Sequence, residues 1–139
     1  MIGIILVMHE DLGDAYIRCA TTILDEVPPA ITAVRIDPTL RDAQTIQKMI
    51  LSAIRTVDSG DGILILTDLF GATPCNACSA LEKKYRDNIK IIAGLNFPML
   101  LKLLTNRTLS LTQAAEVAIE AGKRGIIDVI NMCCCGGSS

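Results

Sequence analysis

The sequence predicts a three-layer α/β domain with a mostly parallel central sheet. Short apolar runs of strand length alternate with helical stripes along the whole chain. Two of the runs, Ile2 to Met8 and Gly62 to Thr67, are apolar almost without a break, the pattern of strands buried on both faces. Each of these two runs ends abruptly in a polar residue, His9 in the first and Asp68 in the second.

The elements follow in order. The first run ends at His9, Glu10 and Asp11, so the imidazole falls at the carboxyl end of a buried strand. Leu12, Ala15, Cys19 and Ile23 recur at helical spacing, and Ile17, Ala20, Leu24 and Val27 widen that apolar face. Pro28 and Pro29 stop the helix. Ala30 to Ile36 is rich in β-branched residues and reads as a strand closed by Asp37 and Pro38. A helical stripe from Ala43 through Ile46, Met49, Ile50, Ala53 and Ile54 reaches Val57, before a turn from Asp58 to Gly62.

Ile63 to Thr67 is apolar throughout, which makes it a central strand, and Asp68 to Ala72 is a loop. Thr73 and Pro74 open a helix, a hydroxyl at the cap and a proline in the first turn, with Ala77, Leu81 and Tyr85 on its buried side. Asn88 to Ala93 is a fourth strand, turned by Gly94. Asn96 and Pro98 open a short helix through Leu104, and Ser110 with Gln113 forms a capping box for the next. Ile126 to Met132 reads as a last strand, with Asp128 and Asn131 giving it an edge-like polarity. The domain spans 1–132, and 133–139 is a Cys/Gly/Ser-rich tail predicted to be disordered.

Bulk composition narrows the function. The 139 residues suit one domain with a sizeable core. Thirteen basic against fifteen acidic residues give a net charge of −2, with no basic cluster, so nucleic acid is not expected as a partner. No run approaches the roughly 20 apolar residues that cross a bilayer, and the first run lacks the flanks of a signal peptide. Tyr16, Phe70, Tyr85 and Phe97 are the only aromatic residues, too few for a stacking platform. The six cysteines fall in predicted helices (Cys19, Cys75, Cys78) or side by side at Cys133 to Cys135, which is not a disulfide framework. A reducing, cytoplasmic setting is expected.

Chemistry is expected where the two buried strands end, because ligands of open parallel sheets bind at the carboxyl edge. His9 is the only histidine, and without a second one a metal site there is disfavoured. A carboxylate on one ring nitrogen would fix the tautomer and free the other nitrogen as a nucleophile or base; Asp68 is the candidate. Gly71 and Ala72 allow close approach of backbone to a ligand. The helix start at Thr73 offers unpaired N–H groups, a positive dipole end and a hydroxyl, a seat for an anion such as a phosphoryl group. Leu69 and Phe70 are placed either to plug the core or to dock a protein partner beside His9. No P-loop and no dinucleotide fingerprint is present, and the reading calls for no cofactor.

Three blocks resemble the IIA domain of the mannose/fructose/sorbose branch of the bacterial sugar phosphotransferase system. They are Gly3 to His9 with Leu12 and Gly13, Thr67 to Asn76, and Gly94 to Leu100. The second is similar to the family's D-L/T-F/W-G-G-S/T-P-x-N and the third to its G-V/L-N-x-P-M-L. The resemblance implies that His9 is phosphorylated, that Asp68 orients it, and that Thr73 with its helix start seats the phosphoryl group. It implies a donor, the phosphorylated histidine carrier protein HPr, and an acceptor IIB component; membrane contact would come only indirectly, through a permease. It also implies a homodimer with four parallel strands and an exchanged, antiparallel C-terminal strand, the role that Ile126 to Met132 would fill.

The chain departs from the family at Met8 and Glu10, where Thr and Gly are common, and at Ala72, where the second glycine of the turn stands. Glu10 brings a negative charge close to an incoming phosphate; either it splays to solvent or it slows transfer. A IIB domain is not expected within the chain, so the acceptor is expected to be a separate protein. The alternatives are a regulatory phosphoprotein of the same fold, or a small hydrolase with His9 as general base.

Overall fold

The computed structural model describes residues 1–37, 39, 42–68, 81 and 85–134. Four strands, β1 (Gly3–His9), β2 (Ile31–Ile36), β3 (Ile63–Thr67) and β4 (Ile89–Ala93), form one sheet. All pairings are parallel and the order is β2-β1-β3-β4. β1 and β3 are central, and their side chains are buried on both faces up to the last residue of β1. The uninterrupted apolar runs thus landed in the middle of the sheet, where each face needs a cover.

Side-chain alternation divides the core in two. Ile4, Leu6, Met8, Leu64 and Leu66 face one layer, made by α1 (Leu12–Leu24), α3 (Phe97–Leu104) and α4 (Leu111–Arg124). Ile5, Val7, Ile63 and Ile65 face the other, where α2 (Ala43–Val57) contributes Ile46, Ile50 and Ile54, and the helical Leu81 joins them. Thr73 and Pro74, the helix start expected before Leu81, lie outside the described residues.

The helix boundaries have local causes. α1 ends at Leu24, before the prolines, because Asp25 takes the left-handed conformation (φ 57°) that terminates helices. Asp42 caps α2 by accepting from the Gln44 N–H at 3.0 Å and the Thr45 hydroxyl at 2.8 Å. Asn96 caps α3 by accepting from the Met99 N–H at 3.1 Å, with a proline in the first turn. The expected capping box opens α4: Ser110 Oγ accepts from the Gln113 N–H and Gln113 Oε1 from the Ser110 N–H.

Arg107, in the connection between α3 and α4, reaches under the amino end of the sheet. Its guanidinium donates to the carbonyls of Ile2, Pro29 and Ala30, and so ties the starts of β1 and β2 to the helical layer. Burial lowers its pKa from the ordinary arginine value.

The expected last strand is not a strand. Residues 126–128 carry no regular structure, and Val129–Cys134 is a short helix, α5. The physical reason is visible in the residues that suggested an edge. Asp128 and Asn131 are three apart, the spacing of a helix cap and not of alternation in a strand. Asp128 Oδ1 accepts from the Asn131 N–H at 3.2 Å, and its carbonyl accepts from the Met132 N–H at 3.0 Å. These local bonds satisfy backbone groups that a strand would have to pair with a neighbour. Ile126, Ile127, Val129, Ile130 and Met132 are all exposed. Residues 135–139 of the expected tail lie outside the described residues.

Candidate functional site

The strand order creates the site. From β1 the chain moves outward to β2, then returns to the other side of β1 to form β3. The order therefore reverses between β1 and β3, and in open parallel sheets such a switch point, at the carboxyl ends of the strands, is where ligands bind. His9 is the last residue of β1, and Asp68 follows the last residue of β3. In register, Val7 pairs with Thr67, so the two polar residues sit together just past the final rung.

Backbone contacts fix both sides of this edge. Gly13 lets the first turn of α1 lie close on the sheet: a Cβ there would stand 3.0 Å from the Ala33 Cβ. The carbonyl of Thr67 accepts from the N–H groups of Gly94 (3.0 Å) and Leu95 (3.1 Å), binding the end of β4 to the end of β3 beneath Asp68. Gly94 makes this turn at φ 89°, where a side chain would be strained.

His9 and Asp68 form a tight pair. The Asp68 Oδ2 lies 2.7 Å from the ring Nδ1 of His9 and also accepts the His9 main-chain N–H at 3.0 Å. Burial works to raise the Asp68 pKa, but the hydrogen bonds from the His9 backbone and ring and the charge of His9 outweigh it, and the carboxyl is held below its ordinary value. An ionised carboxylate accepts only, so in the neutral imidazole Nδ1 carries the proton and Nε2 keeps its lone pair. The imidazole is 41% exposed while the Asp68 side chain is only 13% exposed, so the ring meets solvent and its anchor is sheltered.

Two neighbours carry no obvious signal in the sequence. Tyr16 stacks on Phe97 with ring centroids 5.5 Å apart and planes at 21°, bridging α1 to α3. Its hydroxyl pKa is raised, first by burial and then by the negative charge of Asp68, which places it in the electrostatic reach of the pair. Tyr16 lies four residues after Leu12, the helical offset that puts both on one side of α1 and the one signal from which its place could have been read. The second is Thr67, which is fully buried and whose hydroxyl has no hydrogen-bond partner among the described residues. Leu69, Phe70, Gly71, Ala72 and Thr73, the expected docking pair and phosphate seat, lie outside the described residues.

The chain is thus a parallel α/β domain with a histidine–aspartate pair at the carboxyl edge of its sheet. A family model described as the phosphotransferase system fructose IIA component (EIIA-man) matches residues 3–120. The chain belongs to this mannose/fructose/sorbose-type IIA family.

The sorbose-specific EIIA component of Lacticaseibacillus casei is 37% identical over 106 residues, covering 74% of this chain and 72% of that one. The mannose-specific EIIAB component of Escherichia coli K12 is 30% identical over 87 residues, which cover 61% of this chain but only 27% of that longer protein. Among solved structures, the EIIA component from Streptococcus agalactiae superposes with a TM-score of 0.82 at 28% identity, covering 94% of this chain and 99% of that one. The mannose/sorbose IIA subunit from Enterococcus faecalis shares the fold, with a TM-score of 0.80 at 18% identity over 91% of this chain and 92% of that one. Among the described residues no helix is long and apolar enough to cross a membrane.

Proposed function

We propose that this chain is a phosphoryl carrier that accepts a phosphoryl group on Nε2 of His9 from phosphorylated HPr and passes it to a IIB component, for sugar uptake. The observation that carries the reading is the 2.7 Å contact between Nδ1 of His9 and Oδ2 of Asp68, with the ring still exposed. In the step, the Nε2 lone pair attacks phosphorus in line with the donor's P–N bond. That bond breaks, and its electron pair returns to the donor imidazole, whose other ring nitrogen carries a proton. The donor is left neutral, and phosphorylated His9 becomes an imidazolium with its proton on Nδ1. Asp68 stabilises that cation, so no net proton leaves the pair. Transfer to the acceptor is the reverse of the same step.

In this reading Gly71, Ala72 and Thr73 seat the phosphoryl oxygens and Leu69 with Phe70 docks the partner. Residues 1–132 form the working unit, in the cytoplasm, with membrane contact only through a permease. The unit is a homodimer; the apolar side chains exposed between Ile126 and Met132 support this.

Incubation with phosphorylated HPr tests the reading. An acid-labile, base-stable phosphate on the wild-type chain, none on His9→Ala, and its onward passage to a IIB protein are the expected results. A label that no IIB protein takes up would favour a regulatory phosphoprotein. Product release from a small phosphorylated molecule without that intermediate would favour a hydrolase.

A further inference from the structure

Glu10 directly follows His9, and its backbone sits in the left-handed region at φ 51°. A residue with a Cβ is strained there, whereas glycine is not. The fold fixes this conformation. The Glu10 N–H donates to the Ile36 carbonyl at 2.8 Å, at the His9–Ile36 rung that ends the β1–β2 ladder, and α1 starts two residues on. The side chain is exposed, so burial does not account for it. Its carboxylate has no hydrogen bond and no ion pair among the described residues.

The charge also has company. Asp11 is exposed and makes no side-chain capping bond, and Asp14 is exposed in the first turn of α1. Three carboxylates therefore follow His9 within five residues, next to a ring whose Nδ1 is already held by Asp68. Arg35, in register with Met8 on β2, is the basic residue that the neighbouring strand brings to this end of the sheet.

We propose that Glu10 sets the phosphoryl-transfer potential of His9, making the phosphorylated form less stable and so favouring passage of the group over its retention. The proposal rests on His9 being the phosphorylated residue. When the P–N bond of phosphorylated His9 breaks, the acceptor's nucleophile takes the phosphoryl group and the electron pair returns to Nε2. The dianion then leaves the neighbourhood of the Glu10 carboxylate, and their repulsion is relieved. Neighbouring Cα atoms are about 3.8 Å apart, and an exposed Glu10 side chain turned toward the ring brings its carboxylate within roughly a Debye length of the phosphoryl group, about 8 Å at physiological ionic strength. A carboxylate and a dianion at such a distance change an equilibrium by roughly two- to threefold at that salt, and more when salt is low.

The test is the equilibrium of phosphate between a phosphohistidine carrier protein and the whole chain, read as the phosphorylated fraction by intact mass. Glu10→Gln removes the charge and keeps the strained backbone. It is expected to move the equilibrium toward phosphorylated His9 by about two- to threefold near 0.15 M salt and by more near 0.01 M. Glu10→Gly removes charge and strain together and should give the same shift; Glu116→Gln, an exposed charge on α4, should give none. A wild type labelled on His9 with Glu10→Gln unmoved at both salt concentrations overturns this proposal alone, as does a shift confined to Glu10→Gly. A wild type that takes no phosphate on His9 overturns the carrier reading and this proposal with it.

Discussion

One oxygen of Asp68 holds His9 at two points: Oδ2 accepts the ring Nδ1–H at 2.7 Å and the main-chain N–H of the same residue at 3.0 Å. The double grip fixes the rotation of the ring as well as its tautomer. Any nucleophilic chemistry at Nε2 inherits its direction from this contact.

Asp68→Asn keeps the shape of the side chain and removes its charge. It should slow phosphorylation of His9 by roughly 10²-fold or more, the usual worth of a positioned acid–base partner, while leaving the fold intact. Initial rates of labelling from phosphorylated HPr measure this; a rate within threefold of wild type would dismiss the role of the carboxylate.

The depressed Asp68 pKa has a consequence for stability with a definite sign. Around that pKa the native state binds fewer protons than the unfolded chain, so the pair's contribution grows as pH rises. It is complete above the unfolded-state value of about 3.9 and is lost as pH falls through the lower folded value. Urea unfolding of wild type and Asp68→Asn from neutral to acid pH should show a gap that closes below about pH 4. A gap that does not vary with pH is the contrary result.

Thr67 is the place where the strand below the site is not optimised for stability. Its hydroxyl is buried without a partner among the described residues, and such groups cost about 1–3 kcal/mol. Thr67→Val keeps the branched shape and should stabilise the chain by about 1 kcal/mol, seen as a higher urea midpoint with an unchanged slope. A loss of stability would mean that the hydroxyl is engaged in solution.

Arg107 is a brace whose removal takes a donor from three carbonyls, of which that of Ala30 still accepts the Ile4 N–H at 3.0 Å. Arg107→Met keeps the apolar stem but leaves the acceptors of Ile2, Pro29 and Ala30 without it. A loss of about 2–4 kcal/mol is expected in denaturant unfolding, with phosphorylation of the remaining folded protein near normal because the site is at the opposite edge of the sheet. An unchanged midpoint would count against the brace.

The exposed segment from Ile126 to Met132 should be covered in solution. Ile126→Asp with Ile130→Asp is expected to convert a dimer to a monomer in sedimentation experiments. A wild-type chain that sediments as a monomer at tens of micromolar, or a double variant that remains a dimer, would contradict the proposal.

Much of this protein was written in local sequence. The buried strands announced themselves because both faces of β1 and β3 are covered, which leaves no charged or ring-nitrogen side chain until His9 and Asp68. The starts of α3 and α4 were legible because caps depend on residues within three positions of one another. Family membership was legible in three short blocks, and the match over residues 3–120 agrees with them.

What the sequence could not specify was everything that depends on residues far apart. The contact of His9 with Asp68, 59 positions apart, exists because β3 returns to the opposite side of β1 from β2. The stacking of Tyr16 on Phe97, the brace of Arg107 and the orphaned hydroxyl of Thr67 arise in the same way from packing. At residues 126–132 the pattern suggested a strand, but a strand's hydrogen bonds must come from a neighbour. Asp128 could satisfy that backbone locally, and a helix formed. Local chemistry decides what a segment can become; the partners that tertiary structure supplies decide which of those possibilities is realised.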